Sequence, residues 1–167
     1  MSSSAPDVAA FLKTVRVFGE IAGADLAELA LRLRERTLKK GQLLFREGDT
    51  GSEMFIIWRG TMIISKAVTG NVEQVLARMS IGDFFGEMSL FDHAPRSATL
   101  QAETEAVLLT LDRESVEHLA RVSPRAAAAF FRSLLQVFIE RLRDSGNLVA
   151  EVTRWGIEAT GLDIESR

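Results

Sequence analysis

The residues best placed to do chemistry lie in the run Phe84-Phe85-Gly86-Glu87-Met88-Ser89-Leu90-Phe91-Asp92-His93-Ala94-Pro95-Arg96-Ser97-Ala98-Thr99-Leu100, which sets Glu87 and Arg96 into a largely apolar, glycine-opened segment. Charged side chains are rarely buried without a partner, so this acid and this arginine meet either each other or a ligand. Gly86 permits close backbone approach. If Glu87 to Phe91 forms a short helix, its first free N–H groups point at an anion. Ser89 adds a hydroxyl, and Arg96 returns across a short loop with a planar fork matched to phosphate oxygens. Glu87 cannot face a phosphate; it suits a neutral hydroxyl donor, as an acid does on a ribose 2′-OH in other nucleotide folds. An anion clamp beside a sugar clamp describes a nucleotide monophosphate. The bland alternative is a surface ion pair in an ordinary β domain.

Other chemistries find little support. The chain has no cysteine, which excludes disulfides, thiolate zinc sites, iron–sulfur clusters and a cysteine nucleophile. His93 and His118, its only histidines, are far apart and lack metal-ligand spacing, so both are read as surface residues and no metal is expected. No phosphate-loop, dinucleotide, nucleophile-elbow or metalloprotease motif occurs, so the chain is not expected to be an enzyme. A net charge of -3 does not describe a duplex-binding surface. Neither a signal peptide nor a membrane span of ~20 apolar residues is visible, which makes the cytoplasm the default location.

The elements that must position the segment follow from periodicity. The first 36 residues read as helical, with Val8, Phe11, Leu12 and Val15 on one face and Leu26, Leu29, Ala30 and Leu33 on another after a break at 19–23. From Thr37 the pattern turns to short β-prone runs at Leu43 to Phe45, Met54 to Trp58, Met62 to Ile64 and Val72 to Ala77, then Ala98 to Gln101 and Ala106 to Leu111. Breakers about every ten residues predict a compact all-β barrel or sandwich. Asp112 is an N-cap for a helix carrying Val116, Leu119 and Ala120 that ends near Val122. Ser123-Pro124 starts a longer one. Trp58 and Trp155 read as packing groups.

The last helix has two apolar stripes. Phe131, Leu135, Phe138, Leu142, Ser145, Val149 and Val152 fall at alternating steps of four and three if the helix continues through Gly146. Phe130, Leu134 and Val137 lie beside them. One stripe is expected to pack on the barrel while the other meets a second copy of the chain; a single wide core face is the alternative.

At this point the residues resemble a known family. Phe-Gly-Glu-x-x-Leu at 85–90 with Pro-Arg-Ser-Ala-Thr at 95–99 is similar to the phosphate-binding cassette of cyclic-nucleotide-binding domains, which occur in bacterial cyclic-AMP receptors, kinase regulatory subunits and cyclic-nucleotide-gated channels. The resemblance covers roughly Phe11 to Val152, with Lys40-Gly41, Glu47-Gly48-Asp49, Arg59-Gly60 and Gly82-Asp83-Phe84 on the barrel turns. It implies an α+β fold: a jelly-roll-like β-roll flanked by N-terminal helices and a long C-terminal helix. Residues 1–6 would be a disordered N-terminus and 7–153 the domain, with the roll at 37–112 and C-terminal helices at 113–153; 154–167 would be a tail.

The resemblance also implies roles. Glu87 would bind the ribose 2′-OH and Arg96 the cyclic phosphate, with Phe85, Gly86, Met88, Ser89, Ser97 and Ala98 completing the cassette. Ile64 and Leu76 would line the base and sugar pocket. Ungapped matching puts Arg141 and Leu142 where bacterial receptors carry the two hydroxyl residues that reach adenine, so Arg141, a possible base contact, or Asp144 or Ser145 would meet the base edge instead. The expected function is a stand-alone sensor of cAMP or cGMP, cAMP slightly favoured, with no other cofactor, no helix-turn-helix domain, no direct DNA binding and no membrane. It would be a homodimer through its C-terminal helix, reporting by that helix to an unknown effector. The alternatives are a ligand-free dimeric interaction module and a regulatory fragment of a channel or kinase.

Overall fold

The computed structural model describes residues 4–69, 72–92 and 94–160. In chain order they form α1 (Ala5–Leu12), α2 (Gly23–Ala30), β1 (Arg34–Leu38), β2 (Leu43–Phe45), β3 (Glu53–Arg59), β4 (Met62–Thr69), β5 (Val72–Met79), β6 (Phe84–Phe85), a 3-10 helix (Glu87–Leu90), β7 (Thr99–Ala102), β8 (Ala106–Asp112), α3 (Arg113–Val122) and α4 (Pro124–Thr160). The strands make two four-stranded antiparallel sheets, β1-β8-β3-β6 and β2-β7-β4-β5. Helices gather before and after them, giving an α+β β-roll.

Strand β3 shows how one sequence run serves two cores. Successive side chains of a strand point to opposite faces. Met54 and Ile56 therefore pack with the helices, alongside Phe18, Leu26 and Phe130. Phe55 and Ile57 point into the roll with Leu38, Met62, Phe85, Leu100 and Leu108. Burial on both faces explains why Met54 to Ile57 is apolar throughout instead of alternating.

Local sequence misleads in several places. Arg34-Glu35-Arg36 has good helix propensity, yet β1 begins at Arg34 because the segment pairs with β8, Arg34 opposite Thr110 and Leu38 opposite Ala106; tertiary pairing overrides a weak local preference. Arg34 also bridges Glu53 and Asp112 at 3.1 Å each. The first helix starts at Ala5, inside the expected disordered tail, since Ser4 caps it by accepting from the Asp7 N–H and Pro6 sits in the first turn. Helix α4 runs through Gly146 to Thr160, so the expected tail is helical at its start; one interior glycine costs a helix only about 1 kcal/mol. His118 is half-buried on α3, its Nε2 3.5 Å from Glu28 Oε1, not a surface residue. His93 lies outside the described residues.

Helix α4 separates its stripes. Phe130, Leu134 and Val137 are buried, Phe130 stacking on Phe18 at 5.4 Å. Leu135 and Leu142 remain 57% and 75% exposed, with Phe131 and Ile139 also open. Phe138 is half-buried against the core. Ion pairs from Arg16 to Glu140 and from Arg132 to Glu20 tie the helix to the turns after α1. The side chains of Val149, Val152 and Trp155 lie outside the described residues. Trp58 packs edge-on against Phe11 at 4.6 Å. Among the described residues no helix is long and apolar enough to cross a membrane.

Candidate functional site

The site grows out of the end of β6. Gly86 adopts φ +77°, a left-handed conformation that disfavours any residue with a Cβ; a Cβ there would also stand 2.7 Å from Arg96 Nη1 and 2.9 Å from the Glu53 carbonyl oxygen. This turn starts the 3-10 helix, which buries Glu87 and Ser89 while leaving Met88 at the rim. Arg113, the first residue of α3, fixes the far side. Its Nε donates to the Leu90 carbonyl (2.9 Å) and its Nη2 to those of Asp92 (3.2 Å) and Ser89 (3.4 Å). Orphan carbonyls at the end of a short helix are thus satisfied by a cation.

Arg96 is held from two directions. Its backbone is bolted to the β2–β3 turn, Arg96 N–H to the Asp49 carbonyl at 2.8 Å and Gly48 N–H to the Arg96 carbonyl at 2.9 Å. Its side chain is 6% exposed, with Nη1 donating to the Glu53 carbonyl oxygen (3.0 Å) and to Ser89 Oγ (3.1 Å). The guanidinium lies 4.3 Å from the Phe45 ring centroid and 5.6 Å from that of Phe55, a cation–π arrangement. No carboxylate of the described residues comes within ion-pair distance of it, and Nε has no hydrogen-bond partner among them. Burial pushes its pKa below the ordinary arginine value, and the charges of Glu53 and Asp49 offset only part of this. A desolvated cation with unused donors attracts an anion.

Glu87, 4% exposed, does not pair with Arg96. Its Oε1 accepts from Nη1 of Arg141 on α4, whose guanidinium also stands 5.6 Å from the Phe84 ring centroid. The acid and the arginine of the opening motif therefore keep separate partners around a cavity of about 260 Å³. Phe85, Gly86, Glu87, Met88, Ser89, Arg96, Ser97, Ala98, Ile64 and Arg141 all line it. Leu76 does not. It is 54% exposed on β5, where the register passes from Ile64 opposite Ala77 to Ser65 opposite Val75 and leaves Leu76 unmatched; such a bulge breaks the alternation that would have aimed it inward.

Sequence reasoning missed Phe45 and Arg113. Phe45 was legible as a strand residue, but nothing in its spacing marks it as the ring beneath a guanidinium. Arg113 follows a cap residue, where a basic side chain carries no signal of its own.

Residues 35–123 match the family described as the cyclic nucleotide-binding domain. The chain belongs to that family. It is 37% identical over 92 residues to a cAMP-dependent protein kinase regulatory subunit of Mycosarcoma maydis, covering 55% of this chain and 17% of that protein. It is 28% identical over 136 residues to a CRP-like cAMP-activated global transcriptional regulator of Mycobacterium tuberculosis, covering 81% of this chain and 59% of that one. The chain thus spans less than two thirds of the length of these relatives. The crystal structure of the N-terminal domain of a transcriptional regulator from Streptomyces coelicolor A3(2) superposes with a TM-score of 0.72 at 31% identity, covering 83% of this chain and 94% of that domain. Regulatory proteins, by their names, are what this cyclic nucleotide-binding domain resembles.

Proposed function

We propose that this cyclic nucleotide-binding domain is a cytoplasmic, non-enzymatic sensor of cAMP, with cGMP the weaker ligand, and that it reports through α4. The observation that carries the reading is Arg96: a buried guanidinium without a carboxylate partner among the described residues, beside a cavity that also holds a buried acid. The cyclic phosphate meets Arg96 and the N–H groups of the 3-10 helix, and the ribose 2′-OH donates to Glu87. Ile64 and Phe85 supply apolar wall to sugar and base. Names of relatives that act on or through cAMP favour adenine over guanine.

Output follows from the Glu87–Arg141 pair. A ribose hydroxyl on Glu87 changes what Arg141 is bonded to, and a ligand shifts a conformational equilibrium by its differential contacts with the two states. The open stripe of Phe131, Leu135 and Leu142 gives α4 a surface for a second copy of the chain. Calorimetric titration with cAMP and cGMP tests the reading: one site per chain, tighter for cAMP, is expected. Absence of heat with both at millimolar ligand, together with no rise in melting temperature, overturns it.

A further inference from the structure

The turn between β2 and β3 carries two glycines that are there for different reasons. Gly48 has φ +89° and open space where a side chain would go, so its backbone conformation demands glycine. Gly51 is the reverse. Its φ is outside the left-handed range, and the three atoms nearest to a Cβ built on it are Nη2, Nε and Cζ of Arg96, none farther than 2.5 Å. Real side chains do not approach so closely, so a residue of any other type at position 51 and the present place of Arg96 exclude each other. Gly51 does not line the 260 Å³ cavity. It belongs to a neighbouring recess of about 290 Å³ that shares Arg96 and Phe45 with that cavity, behind the arginine as the ligand would meet it.

We propose that Gly51 is a positioning residue for the anion site: the space left by its missing side chain is the slot in which the Arg96 guanidinium rests beside Phe45, with Nη1 on Ser89 and the Glu53 carbonyl. Geometry, not backbone freedom, assigns the role. The slot accounts for how a cation can stay buried with an Nε that has no partner among the described residues: the fork is wedged by shape where none of their carboxylates holds it. A methyl group at position 51 drives the fork out of line with Ser89, and the anion then meets a misplaced donor. That the fork serves a cyclic phosphate rests on the function proposed above; that it needs Gly51 does not.

The test is a double-mutant cycle on the full chain between Gly51→Ala and Arg96→Ala, with Arg96→Lys as a third branch. Two quantities are read: cAMP affinity by calorimetry and ligand-free melting temperature. Gly51→Ala alone is expected to weaken cAMP at least tenfold and to lower the melting temperature. Added to Arg96→Ala it should change neither, because the atoms it strikes are gone. Added to Arg96→Lys it should cost less than it does in the parent, since a single terminal nitrogen bypasses the methyl group where a fork cannot. Parent-like binding and melting for Gly51→Ala, or an equal loss of melting temperature whichever residue stands at 96, overturns the slot. If Gly51→Ala alone fails to fold, folding of the Gly51→Ala, Arg96→Ala double variant supports the slot and its failure to fold refutes it. Should the parent bind neither cAMP nor cGMP, the proposed function falls while the ligand-free melts still decide on Gly51.

Discussion

At one end of the cavity Arg96 is gripped entirely by the β-roll, through a carbonyl of β3, a hydroxyl of the 3-10 helix and the Phe45 ring; at the other, Glu87 is met by a side chain from α4. The contrast separates two jobs. Donors fixed before a ligand arrives lose little entropy on binding, which favours affinity. A contact shared with another element registers arrival, because replacing it alters what holds that element. On the function proposed above, the first end serves as a socket and the second as a trigger.

The socket is the end more sensitive to substitution. Arg96→Ala should reduce cAMP affinity on the order of 100-fold, consistent with the ~2–5 kcal/mol cost of truncating a buried hydrogen-bonded charge; a loss below threefold would show that the anion is held elsewhere. Glu87→Ala is expected to cost about tenfold, the scale of one hydrogen bond to a charged group. It should also abolish any preference for cAMP over its 2′-deoxy analogue, a ratio that a merely structural acid would leave unchanged. Arg141→Ala should shift affinity by less than about fivefold, since Arg141 itself is half-exposed and its charge is screened by solvent. Its signature lies in hydrogen exchange: the change in α4 protection on adding cAMP should shrink, and full persistence of that change would put the trigger on another residue.

The smallest effect concerns the anchoring of α3, whose first residue grips the cassette. Burial raises the pKa of Asp112, but hydrogen bonds from Ser115 and the charges of Arg34 and Arg32 outweigh it and leave the carboxyl below its ordinary value. A group depressed in the folded state stabilises above its unfolded pKa, and that contribution is lost as pH falls through the folded value. Melting temperature should therefore drop less steeply below pH 4 in Asp112→Asn than in the parent, because Asn still caps α3. Parallel acid limbs for the two proteins would remove Asp112 from the account.

What could be read from the sequence follows the same division. The socket was legible because its residues are contiguous: a glycine, an acid, a hydroxyl and an arginine within twelve positions define a local chemistry, and Ile64 joins them through the family resemblance alone. Strand starts and stops were legible where turn residues punctuate apolar runs, as at Leu43–Phe45. Long-range features were not. Phe45 and Gly51 matter through where Arg96 comes to rest, and Arg113 through three carbonyls more than twenty residues earlier. Leu76 was misplaced by a bulge that no composition signals, and β1 was hidden because its residues prefer a helix until β8 lies beside them. Matching to the family makes Arg141 a possible base contact, but its engagement with Glu87 is a product of how α4 lies on the roll.

One titration tests the role of Arg96 most directly: cAMP into the parent chain by calorimetry, with Arg96→Ala run alongside. Saturable binding at one site per chain is expected for the parent and a collapse of that affinity in the variant. Equal binding by both proteins, or no binding by the parent to either cAMP or cGMP, would contradict it.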